Sequence, residues 1–193
     1  AYLLVVPYYN KPVQEGMFRH FSAIADAVDK PIMLYNVPGR TGSDMQAETV
    51  ARLAGHERIF GIKEATGDIE RLKAIQALVG EDFMFYSGDD FTAREFLETG
   101  GHGIVTVSGN VVPAAISRLC QLVASGHFAE TKEIADTLQP LNEALFAESN
   151  PIPVKWALAE MQRIETGIRL PLTQFSAEFH AQLRAAMQRA GII

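Results

Sequence analysis

In the stretch RIFGIKEATGD, Arg58 to Asp68, a lysine ends a short apolar run of the kind that parallel sheets bury on both faces. Burial penalises the ammonium form, so the pKa of Lys63 is expected to fall below the ordinary value of about 10.4. A neutral amine there could attack a carbonyl and form a Schiff base. Strand alternation sets Gly61 and Lys63 on one face and Phe60 and Ile62 on the other, so the glycine is expected to leave room for the amine. The competing reading is a lysine paired with a carboxylate at a strand end.

Tyr35 ends the apolar run IMLY on a neighbouring strand and is expected on the same face as Lys63, where a phenol can pass protons as a carbinolamine forms and dehydrates. Tyr8 and Tyr9 end the run before that. Together the three tyrosines make a proton path, although each taken singly reads equally well as packing with a wet hydroxyl. Arg40, in NVPGRTG, lies on a loop that Pro38 and Gly39 can turn over the strand ends, and its planar fork suits a carboxylate. A lone loop arginine is more often solvated or in a surface pair. Asp89 and Asp90 fall where a helix begins and read as its cap and first turn, outside the chemistry. The five histidines lack ligand spacing and there is one cysteine, so no metal is implied.

The elements that must position these residues recur along the chain. Apolar runs at Tyr2–Val6, Pro31–Leu34, Ile59–Ile62, Phe83–Tyr86 and Ile104–Val107 are each followed by a loop and a helical pattern, a βα repeat. Helices are expected over Val13–Val28, Met45–Leu53, Ile69–Val79, Thr92–Glu98 and Val112–Val123, several beginning after a residue suited to capping. After Gly126 only helical patterns remain, near Phe128–Phe146, Val154–Arg163 and Ala177–Ala190. The glycine signatures of nucleotide-binding open sheets are absent, while polar residues cluster after each run as PYYN, YNVPGRTG, KEATGD, SGDD and VSGN. That distribution favours the α/β class as a (β/α)8 barrel: residues 1–126 form its C-terminal part and residues 127–193 a helical C-terminal domain. Five strands would leave two unpaired edges, so the rest of the barrel is expected to precede Ala1 or to come from another chain.

The totals narrow the partners. The 193 residues are 48% hydrophobic with a net charge of −6 and no block of like charge, which predicts a soluble domain with no general attraction to nucleic acid or membranes. Small molecules and further copies of the chain are the expected partners. Cys120 sits in the apolar stripe of a helical pattern and reads as a packed thiol, compatible with a cytoplasmic setting. The start AYLLVV opens in mid-strand without Met, which suggests a segment of a longer protein.

With PYYN, YNVPGRTG, GIKEATGD, SGDD and NPIPVKWAL in this order and spacing, the chain resembles the dihydrodipicolinate synthase family, within the N-acetylneuraminate lyase superfamily. The resemblance runs end to end and implies strands 4 to 8 of the barrel plus the C-terminal helices, leaving out roughly the first third. It implies a lyase that condenses pyruvate with L-aspartate 4-semialdehyde in the diaminopimelate route to lysine, with no cofactor beyond the covalent adduct. Lys63 would form the Schiff base and Tyr35 would relay protons. Tyr9 would reach across a tight dimer interface of a homotetramer into the partner's relay. Arg40 would receive the semialdehyde carboxylate, Val105 and Gly88 would line the pyruvate pocket, and Tyr8 would border a lysine-inhibitor site. The family's GTTGE segment does not occur in these residues; Val6 stands where relatives often have Thr, and Ser108–Gly109 where Thr–Ala is common. Two alternatives stay open: another pyruvate-dependent class I aldolase, acting on a sugar acid or N-acetylneuraminate, and a non-catalytic fragment.

Overall fold

The computed structural model describes residues 1–193, which divide into two compact units, Ala1–Val105 and Thr106–Ile193. In the first unit strands and helices alternate: β1 (Tyr2–Val5), α1 (Gln14–Ala27), β2 (Ile32–Asn36), the single turn α2 (Pro38–Thr41), α3 (Ala47–Ala54), β3 (Ile59–Glu64), α4 (Ile69–Gln76), β4 (Met84–Ser87), α5 (Ala93–Glu98) and β5 (Gly103–Ile104). All neighbouring strands pair in parallel, in the sequential order β1-β2-β3-β4-β5. This is the order of consecutive strands in a (β/α)8 barrel, here an open sheet with β1 and β5 at its edges.

The strands hold because their helix-facing side chains are large and dry. Ile32, Leu34, Ile59 and Ile62 join Met17, Phe21, Leu53, Leu72 and Ile75 in one apolar cluster, each 3% exposed or less. Full burial of one such side chain contributes about 1.5–3 kcal/mol. Strict alternation along β3 does not survive: Ile32 pairs with Ile59 but Met33 with Gly61, so Phe60 is an extra residue in the ladder. Ile59 and Ile62 therefore both reach the core, while Phe60, expected opposite Lys63 beside Ile62, is only half-buried.

Caps are fewer than the sequence suggested. Asp68 Oδ1 accepts from the backbone N–H of Glu70 and Arg71 and caps α4. The residues preceding α1, α3 and α5 make no side-chain cap bond. Tertiary packing of apolar faces, rather than caps, stabilises those helices.

The second unit is helical: a short 3-10 turn at Ser108–Asn110, then α6 (Pro113–Ala124), α7 (Phe128–Leu145), α8 (Ile152–Glu160) and α9 (Ala177–Arg189). Leu138, Leu141, Leu145, Ala157, Leu183 and Met187 form its core, and Ala115 and Ile116 of α6 pack against it. Thus α6, which follows the last strand in the βα rhythm, shares its apolar core with the terminal helices. Ser176, placed to cap α9, instead donates its hydroxyl to Glu148. Cys120 is half-buried, and burial pushes its thiol pKa up, as a packed thiol requires. No helix is long and apolar enough to cross a membrane.

Candidate active site

The polar ends of β2, β3 and β4 lie side by side. Tyr35 is the register neighbour of Lys63, and Lys63 of Tyr86, so a phenol flanks the lysine on each adjacent strand. Lys63 Nζ rests 3.9 Å from the centroid of the Tyr35 ring. Contact with the electron-rich face of an aromatic ring is favourable for the ammonium form, while loss of water disfavours it. Burial dominates and draws the Lys63 pKa down; the negative charge of Asp90 pulls it back up, and the Arg40 guanidinium adds to the lowering. Burial also raises the Tyr35 pKa, which the positive Arg40 partly offsets, so the phenol stays protonated and able to donate.

Two glycines let the backbone come close here, and only one of them touches the lysine. A methyl group built on Gly61 would lie 2.5 Å from the Met84 carbonyl oxygen. That glycine, expected to clear space for the amine, instead admits the neighbouring strand. Gly88 is the residue against the lysine stem: a methyl group there would lie 2.6 Å from Ala65 Cβ and 2.8 Å from Lys63 Cε. Its N–H donates to Glu64 O at 2.7 Å, which extends the β3–β4 ladder past Ser87 and holds it in place.

Arg40 sits in α2, the turn that follows β2, where Pro38 occupies the first turn and Gly42, at φ 67°, ends it in the left-handed region that glycine tolerates. Arg40 is exposed, and its charge is felt at both Tyr35 and Lys63. Val105 follows β5, its N–H donating to Ser87 O at 2.8 Å, and the residue is 41% exposed. Tyr8 and Tyr9 stand apart in the bend after β1, 68% and 92% exposed, with Tyr9 at φ 69°. Lys63, Tyr35, Gly88 and the field of Arg40 thus converge, whereas the rings of Tyr8 and Tyr9 point their surface to solvent.

The sequence reading missed several participants. Asp89 does bind ahead of a helix, its Oδ2 accepting from the N–H and hydroxyl of Thr92. Asp90, by contrast, is buried and acts on Lys63 through its charge. Asn36 and Glu64 are buried on the opposite face of the same strand ends and hydrogen-bond to each other. Their signal was a polar residue at a core position directly after Tyr35 and after Lys63.

The chain is similar along its whole length to known proteins. The model of the dihydrodipicolinate synthetase family matches residues 1–190. The chain is 53% identical over 193 residues to the 4-hydroxy-tetrahydrodipicolinate synthase of Teredinibacter turnerae, and 56% identical over the same length to that of Pseudomonas syringae pv. syringae. All of this chain is matched, and it spans 66% of the length of either relative. The crystal structure of the chloride inhibited dihydrodipicolinate synthase from Acinetobacter baumannii, complexed with pyruvate, superposes with a TM-score of 0.96 at 49% identity. That match covers 99% of this chain and 66% of the other.

Proposed function

The chain belongs to the dihydrodipicolinate synthetase family, and from that premise we propose that it carries the Schiff-base half of a pyruvate–aldehyde condensation, the 4-hydroxy-tetrahydrodipicolinate synthase reaction of lysine biosynthesis. In this reading β1 to β5 are strands 4 to 8 of the barrel, with residues 1–126 as barrel and 127–193 as helical domain. The neutral Lys63 amine attacks the keto carbon of pyruvate, and the carbinolamine loses water to give the Schiff base. A proton leaves the pyruvate methyl group, and the resulting enamine attacks the aldehyde carbon of L-aspartate 4-semialdehyde, whose oxygen takes up a proton. The amino group of that substrate then displaces Lys63 from the imine carbon, closing the ring and freeing the amine. Tyr35 donates and recovers the protons of the dehydration. Arg40 receives the carboxylate of the second substrate, and Gly88 and Val105 line the keto-acid pocket. No cofactor is needed beyond the covalent adduct.

The observation that carries this reading is the Lys63 amine, 3.9 Å from the Tyr35 ring centroid and lowered in pKa by burial. A neutral amine beside a protonated phenol is the pair that imine formation requires. Tyr9 is 92% exposed and holds a positive φ in a turn closed by the Asn10 N–H donating to Tyr8 O at 2.8 Å, so a large aromatic residue is presented to solvent on a fixed backbone. That supports a role at an interface, in a homotetramer built from tight dimers, with Tyr8 beside an inhibitor site. A cytoplasmic setting follows from the same pathway assignment.

The test is borohydride reduction of the intact protein with labelled pyruvate, followed by mass mapping. An adduct on Lys63 is expected, and a chain with none would return it to the non-catalytic reading. Steady-state turnover with pyruvate and either aspartate semialdehyde or N-acetylmannosamine then separates this enzyme from a sugar aldolase. A preference for the sugar would overturn the substrate assignment.

A further inference from the structure

Directly behind the two reactive side chains lies a polar network, buried at Asn36 and Glu64 and half-buried at Asp44 and Arg71, for which the condensation chemistry has no use. Tyr35 and Lys63 are each followed by a residue that alternation turns to the helix-covered face: Asn36, fully buried, and Glu64, 2% exposed. Asn36 Nδ2 donates to Glu64 Oε2 at 3.1 Å and to Asp44 Oδ1 at 2.9 Å, and Asn36 Oδ1 accepts from Met45 N–H at 3.0 Å. One carboxamide thereby uses both donor hydrogens and its acceptor, so it has a single satisfied orientation. Glu64 Oε1 accepts from Thr66 N–H at 2.8 Å, which ties the carboxylate to the start of the turn into α4.

From α4, Arg71 reaches back. Its Nη1 and Nη2 donate to the two oxygens of Asp44 at 3.0 and 2.8 Å, and Nη1 also donates to Met45 O at 2.8 Å. Gln14 of α1 closes the far side, with Nε2 donating to Asp44 O at 2.8 Å and Oε1 accepting from Gln46 N–H and the Thr49 hydroxyl. The segment that carries Arg40 therefore leaves the sheet at Asn36 and is returned to it at Asp44 and Met45, both bound to the Asn36 side chain. The fork-to-fork pair of Arg71 and Asp44 adds direction as well as strength.

We propose that Asn36, Glu64, Asp44 and Arg71 are positioning residues that set the Arg40 turn relative to Tyr35 and Lys63, and so determine how well a carboxylated second substrate is bound. The proposal rests on the functional reading above for its substrate, but its geometric content does not. Asn36 joins the strand end behind Tyr35 to the strand end behind Lys63, and the same amide closes the loop bearing Arg40. Loosening that loop should weaken recognition of the carboxylate while leaving the amine in place on its strand.

The test compares Asp44→Asn and Arg71→Lys with the parent in the intact protein, with Asn36→Ala as the more severe variant. Four quantities are read: the KM for aspartate semialdehyde, the rate of borohydride trapping of pyruvate, the melting temperature, and amide hydrogen exchange across residues 38–45. For Asp44→Asn, which removes the charge and replaces one of the two accepting oxygens with an NH2 group, the KM is expected to rise about tenfold, with trapping within about threefold of the parent. Exchange at Arg40 and Thr41 should accelerate. Arg71→Lys keeps the charge but loses the fork, so its KM should rise above that of the parent by less than that of Asp44→Asn. Equal loss in KM, trapping and melting temperature with unchanged exchange in the loop would overturn the proposal, as would no change in any of them. If the parent itself traps no pyruvate, the functional reading falls, while the exchange comparison still decides for or against the positioning network.

Discussion

Gly88 stands against the stem of Lys63: a methyl group on its α-carbon would lie 2.8 Å from Cε and 3.3 Å from Cγ of the lysine. The side chain of the proposed nucleophile is aimed by the absence of one at the end of the neighbouring strand. Gly88→Ala must push either Ala65 or Lys63 aside, and Ala65 Cβ is itself only 2.6 Å away. Displacement of the amine by a fraction of an ångström or more is expected to slow pyruvate trapping by on the order of 100-fold, with the fold retained. Single-turnover trapping beside a circular dichroism spectrum checks this, and a rate within about threefold of the parent would refute it.

Tyr35 offers two separable things, a ring under the amine and a hydroxyl. Tyr35→Phe keeps the ring contact 3.9 Å from Nζ and deletes only the proton donor. The expected result is a fall in kcat of about 10²–10⁴, with native stability little changed. Full turnover by the phenylalanine variant would move the proton path to another group.

The pH dependence of adduct formation follows from the Lys63 environment. The reactive form is the neutral amine, so the trapping rate rises with pH as the proton leaves and levels off above the folded pKa. Because burial draws that pKa down, the half-rise should come below the ordinary lysine value of about 10.4. The charge of Asp90 raises the pKa, so Asp90→Asn should move the half-rise to lower pH. The charge of Arg40 lowers it, so Arg40→Met should move the half-rise to higher pH. Profiles that coincide, or shift in the reverse sense, would show that these charges do not reach the amine.

Leu34 and Ile62 are register neighbours on the helix-covered face, one residue before Tyr35 and Lys63, and both are fully buried. Truncating either to Ala removes packed methyl groups and leaves a cavity, at a cost of about 2–5 kcal/mol. Urea unfolding followed by far-ultraviolet circular dichroism is the measurement. A loss below about 1 kcal/mol would mean the sheet end can collapse around the gap.

The residues with chemical promise were legible because their signals are local. An apolar run of four to six residues predicts a strand wherever it packs, and alternation then places Tyr35 and Lys63 on a common face. The amine on a buried strand, the arginine after Pro38 and Gly39, and the βα rhythm all follow from spacing along the chain. Whatever depended on a second segment was hidden. The bulge at Phe60 is a property of two strands in register, and no pattern within β3 announces it. Gly61 and Gly88 look alike in sequence, yet what each admits is decided by the strand beside it: Met84 for the first, Ala65 and Lys63 for the second. Asp90 read as part of a helix start until packing buried it in the field of Lys63. Asn36 meets Glu64, and Asp44 meets Arg71, across 28 and 27 residues of chain. Sequence determined which groups could react and on which face, since a side chain's direction is set by its own backbone. Only tertiary structure decided their distances, their charges' reach and the network behind them, because those depend on which distant atoms share the same low-dielectric space.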